Sequence, residues 1–500
     1  MGLQFSTLQN GSDIRGVAME GIATEAVSLT QDHVKYIALA FGHWLSTFSQ
    51  KPLEDLSVSV GIDSRLTGPD LEKTIVKALS SLNITTYSCG LASTPSMFMS
   101  TKFKKYNCDG AIMITASHLP FNRNGMKFFT KKSGLDKKDI KEILTQADNF
   151  CKDQYTPEGQ GAIIPYKLID VYADYLVHKI RKETSDLTPL ENYKIIVDAG
   201  NGAGGFFANK ILKPLGANIQ GSQFLDPDGR FPNHIPNPED KEAMASIQAA
   251  VLSNQSDLGI IFDTDVDRAA IVDKDGSIIN RNPLIALMSA IVLDEYPGTT
   301  IVTDSVTSEG LSSFIEALGG KHHRFKRGYK NVINESIRLN EVGIHSALAI
   351  ETSGHGALKE NFFLDDGAYI ITKILIKLAQ LKDDQTLSGL IDTLKRPVES
   401  TEYRLPITAK DFQTYGSQLI EDFKNHFQKL PGHSMAKSNY EGVRIQVNTD
   451  QVKGWFLMRL SLHDPILPIN VESDLAGGVD QMTQTIKDFL RAYDQITINF

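Results

Sequence analysis

Short apolar runs recur along this chain, each ending in a polar or glycine-rich loop and followed by residues whose apolar positions repeat every three or four. The runs read as strands covered on both faces, and the periodic stretches as amphipathic helices. In a first set, residues 56–62 lead through Asp63-Ser64-Arg65 to a helix over 68–82. Residues 84–87, a helix over 95–105 and the run 111–114 follow. In a second set, 194–197 lead into AGNGAGG and a helix over 206–215, and 257–262 lead into DTDVDR. In a third, 300–303 precede a helix over 308–318; residues 324–330 precede a helix after Asn331, and 347–350 run into ETSGHG. Strands alternating with helices predict α/β layers around mixed, largely parallel sheets, whose strand ends carry the ligand groups.

The last hundred residues follow another pattern. Short strands over 443–447 and 455–462 flank helices over 409–427 and 476–493, an α+β arrangement. Breaks near 157–161, 271–282 and 397–403 predict four domains, 1–157, 158–271, 272–397 and 398–500. The fold class is therefore α/β: three related mixed-sheet domains plus a smaller α+β C-terminal domain around a central cleft.

Composition narrows the functions. Lys and Arg number 51 against 60 Asp and Glu, a net charge of −9, and no basic tract occurs. Nucleic acid and anionic membranes are excluded as partners on that ground, and no apolar stretch approaches the roughly 18 residues of a membrane span. The N-terminus lacks the pattern of a secretion signal. Met1-Gly2 with Ser6 fits a loose acylation pattern, but Leu3 and Phe5 lead straight into Asp13-Ile14-Arg15-Gly16 and predict a first strand. Cys89, Cys108 and Cys151 show no CxxC spacing and read as reduced thiols. A cytoplasmic protein, monomeric or homodimeric, is expected.

Residues 110–130, GAIMITASHLPFNRNGMKFFT, carry the chemistry. Ser117 stands in a polar loop directly after a buried strand, with His118 beside it and Lys127 ten positions on. Asn124-Gly125 supplies turn chemistry before a second apolar run over 126–129. A serine so placed suits a nucleophile or a phosphate carrier, and a capping serine occupies such loops equally well. In Asp263-Thr264-Asp265-Val266-Asp267-Arg268, three carboxylates at alternate positions converge on one hard divalent cation if the backbone curls, and Arg268 offers a fork for a phosphate. An EF-hand is ruled out, because its sixth position falls on Arg268 and its twelfth on Lys274. In Glu351-Thr352-Ser353-Gly354-His355-Gly356, polar groups able to donate or accept suit sugar hydroxyls, and a C-cap glycine among polar loop residues fits the stretch equally well. AGNGAGG lacks the context of a nucleotide loop and reads as a tight strand-to-helix turn. Near the end of the chain, Arg459 and Ser461 suit either a phosphate or a surface ion pair.

Four signatures occur in order: TASHxPxxxNGxKF, DxDxDR, ExSGH and RxSxxxP. Together with DIRG (13–16), GIDSRLTGP (61–69), VDAGNGAGG and DPDGRFPNHIPNPE (226–239), the set resembles the α-D-phosphohexomutases, the phosphomannomutase/phosphoglucomutase superfamily. The resemblance covers nearly the whole chain. It implies an isomerase that interconverts hexose 1-phosphate and hexose 6-phosphate, mannose or glucose, through phosphoserine and a bisphosphate intermediate. Ser117 would carry the phosphoryl group, and Asp263, Asp265 and Asp267 would hold one Mg²⁺ together with a phosphoserine oxygen. Arg15, His118, Lys127 and Arg268 would surround the reacting phosphate, with Lys127 or His118 as general acid/base. Glu351, Ser353 and His355, with Lys330 of the loop 328–330, would read the sugar. Arg459, Ser461 and His463 would bind the distal phosphate, in a last domain able to move. A small-molecule phosphosugar is the expected partner and a hexose bisphosphate the activator. A phosphoglucosamine mutase, a Mg²⁺-dependent phosphatase and a non-catalytic sugar-phosphate binder remain alternatives. The chain departs from the family pattern at Leu119 (usually Asn) and Thr264 (commonly Gly). It departs again at the loop RLSLHDP, usually RPSGTEP-like, and at Pro468, where a downstream arginine is usual.

Overall fold

The computed structural model describes residues 3–382, 385–461 and 464–500. It divides into two compact units, one formed by 1–279, 353–356 and 364–386, the other by 280–352, 357–363 and 387–500.

In the first unit, the strands Gly110–Ile114, Ser57–Ile62, Thr85–Leu91 and Ile163–Pro165 run parallel. Arg123–Thr130 and Asp13–Val17 add antiparallel on the other side. The strand Gly110–Ile114 is buried at every position, as its unbroken apolar sequence requires. Helices Gln31–Ser49, Gly68–Ser80 and Lys137–Lys152 pack around this sheet and share one core with it. Their starts are fixed locally: the Thr30 side chain accepts from His33 N, and Pro69 sits in the first turn of the second helix.

Several boundaries differ from the sequence reading. Asn124-Gly125 is no turn, since both residues lie inside the strand Arg123–Thr130. Gly125 is needed there because a Cβ would meet the Ile14 carbonyl oxygen at 2.0 Å. The helix expected over 95–105 is only Thr94–Met99; the Ser100 and Thr101 hydroxyls bond back to the Met97 and Phe98 carbonyls, which competes with helix propagation. The stretch 206–215 is an irregular succession of π and 3₁₀ turns rather than one helix.

A second sheet in the same unit pairs Ile195–Asp198 with Leu258–Phe262 in parallel, and the latter with Ala269–Asp273 antiparallel. The acidic motif is therefore the loop of a hairpin. Ile163–Pro165 carries the first sheet past residue 157, and Ile278–Ile279 carries the second past residue 271.

The second unit holds parallel strands Lys321–Arg324, Thr300–Thr303 and Ser346–Ile350, and an antiparallel sheet built from Glu399–Pro406, Ile466–Ser473, Lys453–Met458, Val443–Asn448 and His433–Met435. Helices Phe412–Phe427 and Gly478–Leu490 pack over one face of that sheet. Its other face is tied to the loop after Thr300–Thr303. Arg444, buried, donates to the carbonyls of Ser305 and Thr307 at 2.8 and 3.0 Å and to Glu309 at 2.8 Å, and stacks 3.5 Å over the Trp455 ring. The sheet of the expected last domain thus lies in the same compact unit as the strands Lys321–Arg324, Thr300–Thr303 and Ser346–Ile350. The strand expected over 455–462 ends at Met458. Arg459 N still donates to the Pro468 carbonyl at 3.1 Å, but proline has no N–H to return the bond. Among the described residues, no helix is long and apolar enough to cross a membrane.

Candidate active site

Ser117 stands at the tip of the connection between the antiparallel strands Gly110–Ile114 and Arg123–Thr130. Its φ is +50°, a left-handed conformation that costs a non-glycine residue about 1–2 kcal/mol and persists where the surroundings over-determine it. Those surroundings are visible. Ser117 N donates to Thr115 Oγ1 at 2.9 Å. Arg65 reaches over the loop and donates to four of its carbonyls: Ser117 (2.5 Å), Leu119 (2.6 Å), Pro120 (2.7 Å) and Arg123 (2.8 Å). The Arg65 guanidinium is buried, with Asp63 at 3.3 Å and the Phe231 ring against it. Arg15 acts one step further back, with Nη1 on the Thr115 carbonyl at 2.5 Å and Nη2 on Asp13 at 2.8 Å.

The Ser117 hydroxyl meets groups from the second sheet. It donates to Asp263 Oδ2 at 3.1 Å, and Arg268 Nη2 lies 3.3 Å from it. The same Nη2 donates to His118 Nδ1 at 2.7 Å, which fixes Nδ1 as an acceptor. Burial, then the neighbouring Arg268 and His355 charges, push His118 down to about 4, so its imidazole is neutral at pH 7. Arg268 is itself buried; its Nε and Nη2 grip Asp263 at 3.2 and 3.1 Å, and its Nη1 donates to Asn237 at 3.1 Å.

Asp263, Asp265 and Asp267 are buried, and their carboxylate oxygens lie within 4.8 Å of one another. The hairpin loop is bent tightly enough to give Val266, a β-branched residue, a φ of +68°. Lys127 donates to Asp265 Oδ2 at 3.0 Å and to Asp267 Oδ2. Thr94 Oγ1 donates to Asp265 at 2.5 Å. Burial and Asp267 oppose ionisation of Asp265, yet Lys127 and Thr94 hold it below the usual carboxylate range. Asp267 is likewise held low against burial, by Lys127, His355 and Arg268. Asp263 is pushed well above that range by burial and by the other two carboxylates. The Oδ1 atoms of Asp265 and Asp267 are buried without a hydrogen-bond partner. Three oxygen donors of this kind, two with unused lone pairs, fit a hard divalent cation.

His355 lies in the same unit. Its Nδ1 is 2.6 Å from Asp365 Oδ2 and 3.8 Å from Asp267 Oδ1. Burial alone would lower it; Asp365 and Asp267 override that and raise it to about 9, so it is an imidazolium at neutral pH. Ser353 and Gly354 precede it in the same unit.

The other expected residues belong to the second unit. Glu351 is buried and accepts from Gly328 N at 2.6 Å, which joins it to the loop of Lys330. Next to Gly328, Arg327 N donates to Glu441 Oε2 at 3.1 Å, and Glu441 Oε1 lies 4.0 Å from Arg459 Nη1. Ser461 Oγ accepts from Asp464 N at 3.3 Å. His463 and its neighbour Leu462 lie outside the described residues.

Sequence reasoning gave no role to Arg65, Asp365, Thr94 or Asn237. Arg65 and Asn237 stood inside quoted motifs, but the backbone carbonyls that Arg65 holds leave no trace in a sequence. Asp365 shows only as the first of two aspartates before a helix start.

Comparison with known proteins agrees along the chain. Models of phosphoglucomutase/phosphomannomutase α/β/α domains I, II and III match residues 6–152, 170–276 and 280–397. A phosphoglucomutase of Neisseria gonorrhoeae is 28% identical over 484 residues, covering 95% of both chains. The phosphomannomutase/phosphoglucomutase of Pseudomonas aeruginosa is 27% identical over 483 residues, covering 96% of this chain and 95% of that one. A crystal structure of a phosphoglucomutase/phosphomannomutase family protein from Burkholderia thailandensis superposes with a TM-score of 0.80 at 27% identity, covering 98% of both chains.

Proposed function

The chain belongs to the phosphoglucomutase/phosphomannomutase family, and from that premise we propose that it isomerises a hexose phosphate with Ser117 as the phosphoryl carrier. The observation that carries the reading is the Ser117 hydroxyl itself, held at the tip of a strained turn between the Asp263 carboxylate and the Arg268 guanidinium. Phosphoryl transfer asks little covalent work of a protein; it asks for position and for neutralised charge.

In the first half-reaction the bond between Ser117 Oγ and phosphorus breaks as a sugar hydroxyl oxygen bonds to that phosphorus, giving a hexose bisphosphate. The hydroxyl gives up its proton and Ser117 Oγ gains one, so the proton count is unchanged. After the sugar reverses, its other phosphate returns to Ser117 by the same steps backwards. Arg268 supplies fixed positive charge beside the transferring group, and Arg15, one step behind the loop on the Thr115 carbonyl, adds to it. Lys127, engaged by two carboxylates, suits the acid that protonates Ser117 Oγ, and His118, neutral and held by Arg268, orients. A Mg²⁺ ion held by Asp263, Asp265, Asp267 and a phosphoserine oxygen would neutralise charge on the phosphoryl oxygens.

Glu351, Ser353, His355 and Lys330 are assigned to the sugar hydroxyls, and Arg459, Ser461 and His463 to the phosphate that does not react. A mannose or glucose phosphate is the proposed substrate and a hexose bisphosphate the activator. We divide the chain into four domains, 1–157, 158–271, 272–397 and 398–500, each holding most of one sheet, with Ile163–Pro165 and Ile278–Ile279 reaching across the first two bounds. Three unpaired cysteines suit a reducing compartment, so the proposed setting is the cytoplasm, as a monomer or homodimer.

The test is a panel of hexose 1-phosphates with Mg²⁺ and a hexose bisphosphate, read for isomer and for free phosphate. Intact mass follows Ser117 in parallel. Isomer formation, with a phosphate adduct lost in Ser117→Ala, is expected. Phosphate release without isomer would sink the mutase reading, and so would turnover by Ser117→Ala at the unmodified rate.

A further inference from the structure

In the C-terminal sheet, Arg404 pairs directly with Pro468 across the antiparallel strands Glu399–Pro406 and Ile466–Ser473. On the other side of Pro468, Arg459 N donates to the Pro468 carbonyl at 3.1 Å, continuing the register in which Met458 faces Ile469. Directly opposed residues of an antiparallel sheet point to one face. Arg404, Pro468 and Arg459 therefore form one row across three strands, two arginines flanking a side chain that offers no donor. Strands stand about 4.8 Å apart, so the two arginine backbones are about 10 Å apart, a span that their side chains close around an anion of phosphate size.

The row lies on the face opposite the helices. Leu405, Met458 and Ile469 point into the helix-covered core, whereas Trp455 and Leu457 pack on Val306. The same face carries Glu402, which Arg327 Nη1 approaches at 3.8 Å. Two further observations point to a ligand. Arg459 is only 9% exposed, and its Nε is buried without a hydrogen-bond partner. The Arg404 side chain, by contrast, is 64% exposed. Its Nε donates to Glu402 Oε1 at 2.8 Å, and Glu402 is in turn fixed by Asn470 Nδ2 at 3.0 Å. The guanidinium thus leans along its own strand against Glu402, on the face of the row, with most of the side chain in solvent.

We propose that Arg404 is a substrate-binding residue of this chain, clamping the non-reacting phosphate of the sugar together with Arg459 and Ser461. It supplies from the adjacent strand a guanidinium that the proline at 468 does not. The inference rests on the hexose-phosphate reading of the site. It explains how a loop reading RLSLHDP, in place of small residues with close backbone donors, retains a phosphate grip: the grip shifts from the loop to the sheet.

The test is calorimetric binding of hexose 6-phosphate to the whole protein, wild type, Arg404→Ala, and Arg404→Ala combined with Pro468→Arg, with thermal melts alongside. Loss of charge-assisted hydrogen bonds predicts that Arg404→Ala weakens binding about 10- to 100-fold with an unchanged melting temperature, since the residue is exposed. The added arginine at 468, in the same row, is expected to recover most of that loss. Binding by Arg404→Ala within twofold of wild type overturns the proposal, and so does a wild type that does not bind the ligand. Isomerisation by the wild type, measured separately, decides the mutase reading. A wild type that binds through Arg404 but does not isomerise sinks that reading and leaves this one standing.

Discussion

Arg65 is the residue on which the geometry of Ser117 most depends, although it touches no reacting atom. Its guanidinium holds four loop carbonyls and is the ion partner of buried Asp63. Replacing it with alanine strands Asp63, whose carboxyl burial already raises to about 6 in spite of Arg65. Breaking a buried pair from one side costs about 3–5 kcal/mol. Released carbonyls that water reaches add little, so we take that range as the whole effect. For a folding unit of about 150–250 residues each kcal/mol is worth about 2–4 °C, which gives a fall of roughly 6–20 °C. The second consequence is separate. Without the clamp, Ser117 relaxes from its left-handed conformation, and displacement of a reacting atom by about 1 Å costs about 100-fold in rate. Arg65→Lys separates the two effects: the charge beside Asp63 stays, but one ammonium cannot span four carbonyls. The assays are a thermal melt and the rate of phosphate transfer to Ser117 from a hexose bisphosphate, read by intact mass. Arg65→Lys should melt within a few degrees of wild type yet accept phosphate far more slowly. Wild-type phosphorylation rates in both variants would refute the reasoning.

Further expectations follow from the buried charges. Lys127→Ala leaves Asp265 and Asp267 facing each other without an ammonium, so the metal-free protein should lose about 3–5 kcal/mol. Mg²⁺ at a hundred times its wild-type dissociation constant should return about 2.7 kcal/mol to wild type, and that same concentration should return more to the variant, where Lys127 no longer competes for the oxygens; equal increments at one Mg²⁺ concentration in a urea titration would contradict this. In the second unit, burial raises Glu472 to about 7 despite the Trp455 Nε1 donor at 2.9 Å and Arg444 nearby. The folded state holds this proton more tightly than the unfolded one, so stability from Glu472 is fully present below about pH 4.5, falls as pH rises toward 7, and is flat above, an upper bound of roughly 3 kcal/mol. Glu472→Gln should therefore flatten the decline in urea midpoint between pH 5 and pH 8, and an unchanged slope would exclude Glu472 as its source. Asp365→Asn removes the charge that orients His355, at 2.6 Å, and should raise KM for the sugar phosphate by about tenfold while the melting temperature moves little; a KM within twofold of wild type would argue that the pair is only structural.

The parts legible in the sequence share one property: they are recorded in side-chain pattern. The strand Gly110–Ile114 announced itself by an unbroken apolar run, and the hairpin loop 263–268 by alternating carboxylates that a bent backbone must gather. What was not legible depends on the backbone or on distant partners. Arg65 binds carbonyl oxygens, which every residue possesses. Asn124-Gly125 has the composition of a turn, but Gly125 serves close approach to the Ile14 carbonyl, and the Asn124 amide donates to Thr67 Oγ1 at 2.9 Å. The pairing of Arg404 with Pro468 is a matter of register between segments more than sixty residues apart, for which neither strand carries a local signal.

The seating of Arg444 has a consequence for any attempt to recombine this chain. Its donors end on the carbonyls of Ser305 and Thr307, and the Trp455 and Leu457 side chains of its own sheet close over Val306. The last hundred residues are thus not a cassette. A chimera that imports another C-terminal segment must import residues 305–309 with it, and a truncation before Glu399 would bare an apolar patch and two buried carbonyls, a surface fit for aggregation rather than for sugar.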